Sequence, residues 1–128
     1  MDDQFHVDVQ ETGPYLTAQV RGSLSLQNMK GLVDTVVSES RRRGCNRFLV
    51  DMLQTGPPAR EMDRFYIGEY LAARFHAGLK VAVVYPSELI NKFTENTAVN
   101  RGAALRVVGS REEALAWLLK GLGEEEVD

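Results

Sequence analysis

The sequence predicts an α/β fold: a five-stranded mixed sheet in the order β-β-α-β-α-β-α-β-α, with four main helices. Three features point there. Between Lys80 and Leu119 one unit occurs twice: a short run rich in β-branched residues, a serine suited to cap a helix, then an amphipathic helix. The first of those runs, Val81-Ala82-Val83-Val84, is continuously apolar, as a parallel strand covered on both faces must be. Near the N-terminus the pattern changes to alternation, the mark of strands with one wet face.

Phe5, Val7 and Val9 alternate with His6, Asp8 and Gln10, and Leu16, Ala18 and Val20 alternate with Thr17, Gln19 and Arg21. With Thr12, Gly13 and Pro14 as turn residues between them, these runs form a hairpin. From Ser25 to Arg43, the residues Met29, Leu32, Val33, Val36 and Val37 recur at the spacing of one helix face. Arg41, Arg42 and Arg43 then meet the negative end of the helix dipole, and Gly44 supplies a left-handed stop. Phe48 to Met52 is a third strand. After it, Gln54-Thr55-Gly56-Pro57-Pro58-Ala59 reads as a turn, because two prolines withhold ladder donors. A long helix follows from about Ala59 to His76 and is closed by Gly78. It carries Met62, Phe65, Tyr66, Ile67, Tyr70, Leu71 and Phe75, more aromatic surface than one core-facing stripe absorbs. Leu79 to Tyr85 is the fourth strand, and Pro86-Ser87-Glu88 opens a third helix running through Ile90 and Phe93 to about Asn100, with Gly102 as its stop. Leu105 to Val108 is the fifth strand. Ser110 and Glu113 fit a capping box for a last helix carrying Ala114, Leu115 and Leu118, with Trp117 near its flank. Because the hairpin keeps a polar side, the helices are expected to crowd one face of the sheet.

The 128 residues suit a single domain, placed at 1–121, and the acidic end GLGEEEVD reads as a flexible tail over 122–128. The formal net charge of -3 gives no electrostatic basis for gripping a phosphate backbone, so nucleic acid is not an expected partner. No apolar run approaches the length that spans a bilayer, and MDDQFHVDVQ lacks the basic-then-apolar order of a signal peptide. Cys45 is the single cysteine, so no internal disulfide forms and a reducing, cytoplasmic setting is expected.

No cofactor or metal is expected. His6 and His76 lie far apart in sequence, and no HExxH, CxxC, P-loop, GxGxxG or GxSxG pattern occurs. Open α/β sheets place ligands outside the carboxyl ends of their parallel strands. The candidate ligand-binding residues there are Asp51, Thr55, Arg60, Tyr85 and Ser87. Asp51 is an acid, a base or an Asx-type cap of the turn after it; Arg60 offers a cation to an anion. Ser87 is an anion-binding helix start or an ordinary N-cap, and Thr55 is a loop hydroxyl open to phosphorylation. The surplus rings Phe65, Tyr66 and Tyr70 are the candidate partner surface. No catalytic grouping accompanies them.

The segments FLVDM, KVAVVYP and LRVVGSREEALAWLL, in this strand-helix order, resemble the STAS superfamily, and more narrowly the bacterial SpoIIAA-like group. The likeness runs over nearly the whole chain and rests mainly on core and cap positions. It implies a β-α superhelix around a five-stranded sheet, and non-catalytic work on partner proteins or small ligands. In the anti-sigma-factor antagonists of that superfamily a kinase modifies a serine opening the helix after the third strand. Here that turn reads Gly56-Pro57-Pro58-Ala59-Arg60 and holds no serine, so no phosphosite is carried over. A related lipid-carrier branch, similar to the CRAL-TRIO fold, requires an apolar pocket. The expected function is a non-enzymatic, cytoplasmic regulatory or interaction module that binds a protein partner or a second copy of itself. The alternative is a carrier or sensor of a small anionic or lipid-like ligand at the strand ends.

Overall fold

The computed structural model describes residues 5–121; the acidic tail expected at 122–128 lies outside the described residues. β1 (His6–Thr12) pairs antiparallel with β2 (Tyr15–Leu24), in register from His6 opposite Arg21 to Thr12 opposite Tyr15. Only Gly13 and Pro14 join them, and Gly13 takes a φ of 73°, which costs least without a Cβ. β2 leads into α1 (Leu26–Arg43), whose first turn is capped by Ser25 Oγ accepting the Asn28 N–H at 3.0 Å. α1 buries the predicted stripe of Met29, Leu32, Val33 and Val36 and stops at Gly44, left-handed at φ 65°. Arg42 and Arg43 fold back onto Glu39.

β3 (Arg47–Pro58), β4 (Lys80–Val84) and β5 (Ala104–Val108) add in parallel, so the order across the sheet is the order along the chain. Between them lie α2 (Asp63–Arg74) and α3 (Phe93–Asn100), and α4 (Arg111–Leu118) follows β5. Strand register decides which side chains share a face. Leu16, Ala18, Val20, Phe48, Val50, Met52, Val81 and Leu105 form one core with α1, α2 and α3. On the other face Tyr15, Leu49, Ala82 and Val84 meet Ala114 and Leu118 of α4. The helices therefore crowd one face, as the polar side of the hairpin implied. On the thin side His6, Asp8, Gln10, Gln19 and Arg21 are exposed.

Three boundaries differ from the sequence reading. The predicted turn at 54–59 is mostly strand, because irregularities between Gln19 and Arg21 and between Gly22 and Leu24 let β2 follow β3 as far as Leu24 opposite Pro58. Pro58 lies beyond Asp51, the last β3 residue paired with β4, so on that side its missing N–H forfeits no ladder bond. The second helix starts at Asp63 rather than near Ala59, after turns in which Asp63 and Arg64 donate their N–H groups to Arg60 and Glu61 carbonyls. The third predicted helix is split. A 3-10 turn at Ser87–Leu89 is followed by a break, and α3 begins only at Phe93, whose N–H is accepted by Asn91 Oδ1 at 3.0 Å. An Asx side chain thus starts a helix that periodicity alone merged with the preceding turn.

Candidate functional site

The inward residues of β3, β4 and β5 do not meet the helices everywhere. Val50, Val83 and Val107 from the sheet, Leu32 and Val36 from α1, and Ile67 and Leu71 from α2 enclose an apolar cavity of about 120 Å³. Its rim is polar. Arg64, Tyr85, Asn91, Lys92, Thr94 and Glu95 line it where the break between the 3-10 turn and α3 passes over the ends of β4 and β5. Lys92 holds that break in place from an unusual backbone position, φ 65°, sparsely populated by residues with a Cβ. Its Nζ donates to the Val107 carbonyl at 2.6 Å and to Glu95 Oε1 at 3.1 Å, and the same Glu95 oxygen accepts the Val107 N–H at 2.7 Å. Two side chains thereby satisfy both backbone polar groups of one edge-strand residue, which would otherwise face outward without a partner.

Arg64 is the charged group set deepest in this wall, 8% exposed. Its Nε donates to the Glu61 carboxylate at 3.2 Å and its Nη2 to the Leu89 carbonyl at 3.1 Å. Beside it the Tyr85 hydroxyl donates to the Gly56 carbonyl at 2.7 Å. Burial pushes the Tyr85 phenol above its ordinary pKa of 10.0, and the nearby Arg64 charge opposes that rise.

The five ligand residues expected from the sequence do not converge. Tyr85 lines the cavity, whereas Asp51 lies on the other face of the sheet, with Gln19 donating to its Oδ2 and the Leu53 N–H to its Oδ1. Asp51 therefore forms the Asx-type cap that was one of its expected roles. Thr55 is in strand rather than loop, is buried, and donates to the Met52 carbonyl at 2.8 Å, so its hydroxyl is withdrawn from solvent. Arg60 is exposed and reaches the buried Asp63 at 3.5 Å. Ser87 opens the 3-10 turn with its hydroxyl packed over Gly109, where a Cβ would collide with it.

The aromatic residues of α2 divide. Tyr70 turns to α1: its hydroxyl donates to Asp34 at 2.9 Å, and Lys30 and Arg74 lie over its ring. Phe65 instead packs edge-on against Tyr66, with ring centroids 5.7 Å apart, and lies 6.2 Å from Phe93 of α3. Met62, Tyr66 and Phe93 are 51%, 43% and 42% exposed, so the N-terminal ends of α2 and α3 present apolar surface to solvent. Sequence reasoning missed Phe93, Arg64 and the Lys92–Glu95 pair. Gly68 was the available signal: a glycine inside a helix marks close approach, and a Cβ there would stand 2.8 Å from Thr97 Cβ of α3. Among the described residues no group of three or more His, Cys, Asp or Glu side chains is placed to hold a metal. No described helix is long and apolar enough to cross a membrane.

No family model matches the chain, and no curated protein matches it. Solved structures do. An anti-sigma factor antagonist from Mycobacterium paratuberculosis superposes with a TM-score of 0.63 at 12% identity, over 92% of this chain and 97% of that one. An uncharacterized DUF3478-family protein with a SpoIIAA-like fold, from Shewanella loihica, gives a TM-score of 0.53 at 19% identity, over 89% of this chain and 93% of that one. The chain has the SpoIIAA-like fold. Its five-stranded mixed sheet and four helices are the architecture that the resemblance of FLVDM, KVAVVYP and LRVVGSREEALAWLL implied. Within the SpoIIAA-like fold of this chain, the turn between β3 and α2 carries Ala59, Arg60, Glu61 and Met62 and no serine.

Proposed function

We propose that the chain is a non-enzymatic, cytoplasmic regulatory module that binds a protein partner through the paired N-terminal ends of α2 and α3. The observation that carries this reading is the exposed cluster of Met62, Tyr66 and Phe93 around Phe65. Aromatic residues and Met are enriched where protein surfaces meet. The helical pair below is rigidly braced, since Thr94 Oγ1 donates to the Arg64 carbonyl at 3.0 Å and Arg101 reaches Glu69 at 3.1 Å. A braced surface loses little conformational entropy on docking. The shared fold of an anti-sigma factor antagonist supports a regulatory role of this kind.

The test compares the wild type with Tyr66→Ser/Phe93→Ser. Cross-linking with mass spectrometry identifies the partner, and sedimentation velocity measures pairing between copies. Both rings are only partly covered, against Phe65, so the variant is expected to fold with a modestly lower melting temperature while affinity for the partner, or for a second copy, falls at least about tenfold. Equal affinity in the two proteins removes this surface from consideration.

A further inference from the structure

The cavity beneath α1 and α2 is a distinct feature from the exposed aromatic cluster. We propose that it is a binding site for a small monocarboxylate with a compact apolar body. Size sets the body. A cavity of about 120 Å³ is somewhat smaller than the engineered apolar cavity of ~150 Å³ that stays dry and takes up benzene, so a body of about five or six carbon atoms fits. The walls set its polarity, since Leu32, Val36, Val50, Ile67, Leu71 and Val83 offer no hydrogen-bonding side chain.

Arg64 sets the head group. It is 8% exposed, whereas the side chain of its counter-ion Glu61 is 71% exposed, so the cation belongs to the cavity wall and the anion to solvent. Among the described residues the Arg64 Nη1 makes no hydrogen bond, and its Nε–H is held only by that exposed carboxylate at 3.2 Å. A guanidinium with an uncommitted nitrogen suits a planar carboxylate better than a hydroxyl or an amide. The other rim charges are already balanced, because Lys92 and Glu95 bond each other and the Val107 peptide. Arg64 is also paired, but its counter-ion Glu61 is 71% exposed whereas Glu95, the counter-ion of Lys92, is 15% exposed, so Arg64 is the wall cation whose charge is least balanced within the site. The segment of Ile90, Asn91 and Lys92, which joins the 3-10 turn to α3, lines the cavity beside Arg64.

The experiment titrates the full chain by calorimetry with straight-chain carboxylates from acetate to dodecanoate, with benzoate, and with the matched alcohols. Affinity is expected to peak at about six or seven carbons, the carboxyl carbon included, and each carboxylate to exceed its alcohol at least about tenfold. Arg64→Gln is expected to erase the preference for carboxylate over alcohol. Val83→Phe, which fills the cavity and leaves Arg64 in place, is expected to abolish binding of both. Affinity that rises steadily with chain length, alcohols that bind as well as acids, or binding that survives Val83→Phe would each overturn the proposal. Should Arg64→Gln fail to fold, Arg64→Lys keeps the charge without the fork, and a preference undiminished in that variant also counts against it.

Discussion

Gly68 shows how one absent side chain sets a helix-helix distance. On α2 it faces Thr97 and Thr94 of α3, and an added Cβ would sit 2.8 Å from Thr97 Cβ and 3.0 Å from the Thr94 carbonyl oxygen. Alanine gains about 1 kcal/mol of intrinsic helix preference over glycine. Forcing apart two packed helices costs about 1–3 kcal/mol. The second effect wins, because the obstructing atoms include backbone and a β-branched residue with little freedom to turn aside. Gly68→Ala is thus expected to lower stability by about 1 kcal/mol, read as a lower urea midpoint with an unchanged slope. A variant as stable as the parent would mean that α3 shifts without cost.

Among the elements, α3 is the one whose position depends most on side-chain bonding. It has eight residues, with only Thr97 and Ala98 buried, too short and too little covered to stand on its own hydrogen bonds. Its anchor is Glu95, which accepts the Val107 N–H of β5 at 2.7 Å and is itself held by Lys92. Glu95→Ala is expected to cost about 2 kcal/mol, the scale of a hydrogen bond to a charged group, and to speed amide exchange at Val107 more than at Val83. Equal acceleration at both residues would indicate general loosening in place of a lost anchor. The same element marks where legibility ended. α1, α4 and the hairpin were readable because periodicity, a capping serine and turn residues agree over many positions, as at Ser25, Gly44 and Ser110. The split before α3 was not: the Asn91 cap of Phe93 is a local contact that the continuing periodicity hides, and the left-handed Lys92 is held by Val107 of the following strand. Of the expected strand-end ligand residues Tyr85 lines the cavity, whereas Asp51 and Thr55 do not join it: alternation sends Asp51 to the opposite face, and pairing with β2 turns the Thr55 loop into strand. Arg64 was overlooked because nothing in its local sequence distinguishes a buried arginine from a surface one.

Across the whole molecule the two faces are unequal. Among the described residues three helices cover one, while α4 alone is packed on the other, and its end is fastened by cations from the sheet. Arg47 Nη1 donates to the Leu118 carbonyl at 2.6 Å, and Lys80 Nζ donates to the Trp117 carbonyl at 2.8 Å while lying 4.7 Å from the centre of the Trp117 ring. Desolvation, with the charges of Arg47 and Lys120, holds the Lys80 amine below its ordinary pKa. Lys80→Ala is expected to loosen α4 ahead of the rest, by about 1 kcal/mol. Trp117 is the single tryptophan, so its emission should shift to the red in denaturant before the bulk ellipticity falls. Coincident transitions would show that α4 does not open separately.

The sheet margins are unequal as well. At β5 the Val107 peptide is already occupied by Lys92 and Glu95, whereas among the described residues no strand lies along the outer side of β1. An incoming strand can therefore extend the sheet at β1 but is blocked at β5. Among the described residues β1 is then the one open margin, and two molecules that join β1 to β1 use it up, so growth by that mode stops at a symmetric pair.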